Sequence, residues 1–148
     1  MNIAIKKIHP DAIVPEYQTA GAAGADIHAR LDAPVTLASL ERRMIPTGLA
    51  MAIPEGYEVQ IRARSGMSIK HGITMVNGIG TIDADYRGEV GVLIINLSQE
   101  PFTIEPGMRI AQMVVAQYAH ATWQVVDGLD ETARGAGGYG STGATLTP

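Results

Sequence analysis

An all-β sandwich or barrel with one short helix is the fold class this sequence predicts. Two observations carry that expectation. Apolar residues almost nowhere recur at helical spacing; they come instead in short β-branched runs bounded by Gly or Pro. Turn signals punctuate the runs at Pro54-Glu55-Gly56, Asn77-Gly78, Tyr86-Arg87-Gly88 and Pro106-Gly107.

In chain order, strands are expected in NIAIKKI (2–8), APVTLAS (33–39), LAMAI (49–53) and YEVQIRA (57–63). A helix follows within SGMSIKHG, started by Ser65 and stopped by Gly72. Further strands are expected in ITMV (73–76), EVGVLIINL (89–97), FTI (102–104), RIAQMVVAQY (109–118) and TWQVV (122–126). Between the strands at 73–76 and 89–97, the segment NGIGTIDADYRGE reads as a hairpin with an elaborated tip. VGVLIINL is apolar almost throughout, which suits a strand covered on both faces. The second cover comes either from the other sheet of a sandwich or from another subunit. From about Val126 the composition turns to Gly, Thr and Ala with little to pack, as in a frayed terminus.

At 148 residues the chain is long enough for one domain with a buried core. Its formal net charge of −4 argues against broad nucleic-acid binding, which needs a basic face. The absence of cysteine removes disulfides, thiolate nucleophiles and zinc–thiolate sites. MNIAIKKIHP carries no long apolar run and no stretch approaches a membrane span, so a cytoplasmic protein is expected.

The tail contains GAGGYG, which satisfies G-x-G-x-x-G. A dinucleotide fingerprint should open a helix and lead to an acidic residue about 20 positions on, and only ATLTP follows Gly143. The glycines therefore need another explanation. His9, His28, His71 and His120 show no metal spacing and are expected on the surface or in turns.

Three polar clusters interrupt the strands. Arg64-Ser65-Gly66, at a strand end and helix start, offers a guanidinium, a hydroxyl and backbone amides to an anion, although for the tripeptide alone a Ser N-cap beside a surface Arg is the favoured reading. In the hairpin tip, backbone groups at fixed spacing can read the edge of a flat base, and Asp83 and Asp85 share a face if the chain is extended. The third cluster is the tail from Arg134. Its glycines allow close approach to phosphate, Ser141 and Thr142 can donate, and Tyr139 offers a stacking face. Nearby, Arg109 and Gln112 stand three apart and would point to opposite faces of an extended strand.

Taken together, five ordered motifs resemble the trimeric dUTP pyrophosphatases: AGADIHA, RSGMSIKHGI, NGIGTIDADYRGEVGV, PGMRIAQMVV and RGAGGYGSTG. The resemblance spans Ala22 to Gly143. It implies a jelly-roll-like β-barrel or sandwich (β-clip) subunit, with residues 1–126 as the body and 127–148 as an arm. It also implies a homotrimer whose three sites are shared, the glycine-rich arm closing over a neighbour's nucleotide and Mg²⁺. The implied reaction is dUTP plus water giving dUMP and pyrophosphate, by attack on the α-phosphorus.

Residue by residue, Asp83 matches the catalytic carboxylate that orients and deprotonates water. Asp26 matches the acidic residue associated with the metal's hydration shell, the metal itself being held mainly by the phosphates. Arg64, Ser65 and Gly66 match the phosphate-binding turn, and Gln112 a contact near the α-phosphate. Asn77 and the backbone of Thr81, Ile82 and Gly91 match the uracil reader, too tight for a thymine methyl. Tyr86 matches the aromatic that excludes a ribose 2′-OH. Arg134, Gly140, Ser141 and Thr142 match the grip on the terminal phosphate, and Tyr139, where Phe is more usual, the ring over uracil.

Gly91 stands where a larger apolar residue is common, and Arg109 is assigned to a structural ion pair. The related dCTP deaminases need a catalytic Glu where this chain has Leu93. A nucleotide-retaining binding module would be signalled by a broken catalytic motif, and Asp83 and the tail are intact.

Overall fold

The structure, a computed structural model, describes residues 1–138. Within them run β1 (Ala4–Lys7), β2 (Ala25–His28), β3 (Val35–Leu37), β4 (Arg42–Pro46), β5 (Leu49–Ala52) and β6 (Tyr57–Arg62). There follow α1 (Ser65–His71), β7 (Ile73–Met75), β8 (Ile79–Ile82), β9 (Gly91–Asn96), β10 (Phe102–Ile104) and β11 (Arg109–Gln117). Four antiparallel groups result, in the orders β1-β5, β10-β3, β2-β11-β6-β8 and β4-β9-β7. This is the expected all-β architecture with one short helix, jelly-roll-like, and none of the four groups closes into a barrel among the described residues.

Alternation explains how the sheets meet. On β6, Val59 and Ile61 point into the core, while Glu58, Gln60 and Arg62 stay outside and bond one another along the strand. Ile27, Leu37, Ile45, Val92, Ile94 and Ile104 complete a core of almost fully buried aliphatics. Each such side chain contributes about 1.5–3 kcal/mol relative to exposure.

On β9 only one face is covered by the described residues. Val92, Ile94 and Asn96 are buried, whereas Leu93 opposes an exposed Met44 and neighbours an exposed Val76. The expected second cover is therefore not the other sheet of the same subunit.

Asn96 is the one polar side chain fully inside that face. Its Nδ2 donates to the carbonyls of Leu37 (3.0 Å) and Glu100 (2.8 Å), and its Oδ1 accepts from the Ser98 amide (2.9 Å). Asn96→Ala removes all three bonds and takes the Nδ2 donor from the buried Leu37 carbonyl. It is expected to cost about 1–3 kcal/mol, read as a lower urea midpoint at fixed protein concentration.

Three strands escaped the sequence reading. β2 carries a buried Asp, β4 opens with two arginines and ends in Pro, and β8 contains a glycine; none has the apolar rhythm that announces a strand. Conversely, TWQVV is irregular, with Trp123 90% and Val125 99% exposed. A strand needs a hydrogen-bonding neighbour, and the described residues offer this segment none. The helix also starts differently: Arg64 is its N-cap, in extended conformation and without a side-chain cap, so Ser65 is already helical. Gly72 ends it as expected, at φ 67°.

Candidate active site

A buried carboxylate organises one end of the β2-β11-β6-β8 sheet. Asp26 lies mid-β2 and is 7% exposed, which is costly for an anion unless it is paired. Arg64 Nε stands 3.2 Å from its Oδ1 and Arg109 Nη1 3.0 Å from its Oδ2. Arg64 Nη1 also donates to the Arg109 carbonyl (3.1 Å), so one aspartate ties together β2, the β6–α1 turn and β11. Two guanidinium charges on one carboxylate leave a net positive charge there. Arg109 thus fills the structural ion pair expected of it.

Arg109 and Gln112 do not face opposite ways. The register slips between Arg109 and Ala111: Arg109 opposes His28, Ala111 opposes Ile27 and Gln112 opposes Asp26. This bulge buries Ile110 and Ala111 in succession and resets the alternation, bringing Arg109 and Gln112 to the same side. Gln112 Nε2 donates to the Ala63 carbonyl (3.1 Å), fixing its carboxamide beside Arg64. Ser65 and Gly66 are exposed next to it.

His28 belongs to this cluster rather than to a turn or open surface. It shares the face of Asp26 two residues along β2, and its Nδ1 is buried with no hydrogen-bond partner among the described residues. Desolvation is the chief reason its pKa lies below the ordinary histidine value; Arg109 and Arg64 add to the lowering, while Asp26 and Glu16 oppose it. The signal in the sequence was its spacing from Asp26 on an extended run.

The hairpin is formed, since β7 pairs with β9, and its tip is elaborated by β8, which leaves to pair with β6. Asp83 and Asp85 are not on an extended run: Asp83 opens a turn closed by the Tyr86 amide on its carbonyl (3.2 Å). Both aspartates line an open cleft of about 760 Å³ with Glu55, Glu58 and His120. Tyr86 Oη donates to the Glu89 carbonyl (3.0 Å), and Arg87 Nη1 donates to the carbonyls of Ala84 (2.6 Å) and Tyr86 (2.9 Å), so the tip is braced from within. Asn77 and Thr81 are exposed and Ile82 is half-buried. Met44 covers the space beside Gly91, where a β-carbon would come within 2.7 Å of its Cγ.

These two groups of residues do not meet within one chain. Val59 opposes Ile82, placing Asp83 at the Glu58 end of β6, whereas Gln112 opposes Arg62 at the other end and Arg64 lies just past it. At about 3.3 Å per residue the separation along the strand is roughly 13–20 Å. Arg134 lies farther on in an exposed segment, its Nε donating to the Gly137 carbonyl (2.8 Å). Tyr139, Gly140, Ser141 and Thr142 lie outside the described residues.

For a Mg²⁺ ion, the donor set is informative. Both Asp26 oxygens are already paired with guanidinium groups, so Asp26 suits a contact through water better than direct ligation. Among the described residues no three His, Asp or Glu side chains are grouped to hold a metal. An ion carried mainly by a polyphosphate fits this arrangement.

Comparison with known proteins accords with the motif order. The family model for dUTPase matches residues 10–143. A deoxyuridine 5'-triphosphate nucleotidohydrolase from Roseobacter denitrificans is 61% identical over 131 residues, covering 88% of this chain and 86% of its own. The protein of that name from Wolinella succinogenes is 54% identical, covering 97% and 95%. Among solved structures, the dUTPase of Staphylococcus bacteriophage 80alpha with dUpNHpp superposes with a TM-score of 0.86 at 29% identity, over 96% of this chain and 98% of that one. The chain belongs to the dUTPase family.

Proposed function

We propose that the protein hydrolyses dUTP to dUMP and pyrophosphate as a homotrimer, in sites that no single copy completes. The separation of Asp83 from the Arg64–Gln112 cluster carries this reading. A general base and the groups that grip its phosphate must lie within a few ångströms of one phosphorus, so the hairpin of one copy has to serve the cluster of another. The open face of Leu93 and Met44, and the exposed Trp123, Val125 and Leu129, supply apolar surface for such association. The body comprises residues 1–126, and the arm 127–148 closes over a neighbour.

In this mechanism Asp83 accepts a proton from the water that attacks the α-phosphorus. Among the described residues its carboxylate has no hydrogen-bond partner, which leaves both oxygens available. Arg64, the Ser65 hydroxyl and the Gly66 backbone receive charge on the phosphates, and Gln112 donates near the α-phosphate. Mg²⁺, bound with the nucleotide and approached by Asp26 only through water, would supply further charge neutralisation on the triphosphate. Asn77 with the backbone at Thr81, Ile82 and Gly91 reads uracil. Tyr86, held by its bond to Glu89, shuts out a 2′-OH. Arg134, Gly140, Ser141 and Thr142 hold the terminal phosphate, and Tyr139 stacks on the base. In a cytoplasmic setting the reaction limits uracil entry into DNA and supplies dUMP for thymidylate synthesis.

A panel of dUTP, dTTP, dCTP and UTP with Mg²⁺, read for pyrophosphate and ammonia, tests the proposal. Pyrophosphate is expected from dUTP at least about a hundredfold faster than from the others. Equal turnover of dTTP would remove the uracil reader, and ammonia from dCTP would make the protein a deaminase.

A further inference from the structure

Gly24 stands just before β2, against the side chain of Gln112. A β-carbon at this position would lie 2.2 Å from Gln112 Oε1, 3.0 Å from its Cδ and 3.3 Å from its Cβ. Its three nearest neighbours are thus all atoms of one side chain. Gly24 is not among the glycines with left-handed backbone, so space rather than backbone freedom is what its missing side chain provides.

On its other side, the same carboxamide is held by the Ala63 carbonyl at 3.1 Å. Gln112 also opposes Asp26 in register, between the strand that carries Asp26 and the turn that carries Arg64. Its carboxamide is therefore confined between the α-carbon of Gly24 and a carbonyl at the end of β6. A methyl group at position 24 would occupy the place of Oε1. The side chain would have to rotate, breaking the bond to Ala63 and withdrawing its N–H groups from the phosphate end.

We propose that Gly24 is a positioning residue for hydrolysis: by leaving room for the Gln112 carboxamide, it holds that amide where it meets the α-phosphate. The inference rests on the function proposed above. It extends that reading to a residue that touches no substrate and acts only through Gln112. Because the obstruction is the far end of a rotatable side chain, the fold should absorb the change while the site does not.

A mutant cycle separates positioning from a general structural role. Gly24→Ala is expected to lower kcat/KM for dUTP at least about tenfold, as Gln112→Ala does, and the double variant is expected to lie within about twofold of either single one. Activity of Gly24→Ala within twofold of the parent, or losses that multiply in the double variant, would overturn the proposal. The melting midpoint gives a second reading. If Gly24→Ala melts early, Gln112→Ala in the same chain should restore the midpoint, because it removes the atoms in conflict; failure to restore it also overturns the proposal. A parent protein that releases no pyrophosphate from dUTP would count against the function, whereas an active parent with multiplying losses counts against Gly24 alone.

Discussion

Asp83→Asn is expected to lower kcat for dUTP by about two to four orders of magnitude, the range that removal of a positioned general base commands. The amide has nearly the shape of the acid and no capacity to take the proton of the attacking water. Affinity for an uncleavable dUTP analogue should stay within about threefold of the parent, since the uracil reader and the phosphate cluster are unchanged. The fold should be indifferent as well: Asp83 is exposed, and its backbone carbonyl rather than its carboxylate closes the turn to Tyr86. Stopped-time pyrophosphate release and analogue titration together check both halves. Turnover at the parental rate would remove Asp83 from its role.

Deletion of residues 134–148 is the second large effect. Ending the chain before Arg134 removes the guanidinium, the hydroxyls of Ser141 and Thr142, and the ring of Tyr139 in one step. Loss of oppositely charged and hydrogen-bonding groups from a triphosphate in a closed site is expected to reduce kcat/KM at least about a hundredfold. The body should persist, because among the described residues the last strand ends at Gln117 and the Arg134 side chain bonds within its own segment, to Gly137. Sedimentation velocity is expected to give the same oligomer as the full chain, and steady-state kinetics the loss. Unaltered kinetics would mean that the arm is no lid.

Much of this was legible in the sequence, for identifiable reasons. FTI appears as a strand over its full length, and YEVQIRA lost only its last residue, because alternating β-branched side chains are a local signal. Gly72 marked the helix end through a backbone conformation it adopts easily. β2 was invisible since tertiary pairs, not apolar rhythm, justify its polar residue: Asp26 needs Arg64 and Arg109, which lie 38 and 83 positions away. β4 was invisible because three of its five residues are exposed and two of those are arginines. The motifs named candidate site residues, yet their geometry could not be read. A slip in register at Arg109 reverses the parity on which any face assignment depends. The fate of TWQVV was hidden for the opposite reason: its residues favour a strand, and the described residues supply no partner.

The distance between Asp83 and the Arg64 cluster along β6 has a genetic consequence. In the shared-site assembly proposed above, each chain contributes its hairpin to one reaction centre and its arginine cluster to a different one. In a cell carrying two alleles, a copy damaged at position 83 and a copy damaged at position 64 could assemble so that at least one centre inherits only sound parts. Recessive lesions at the two ends of a single sheet would then complement each other, as mutations in separate genes do.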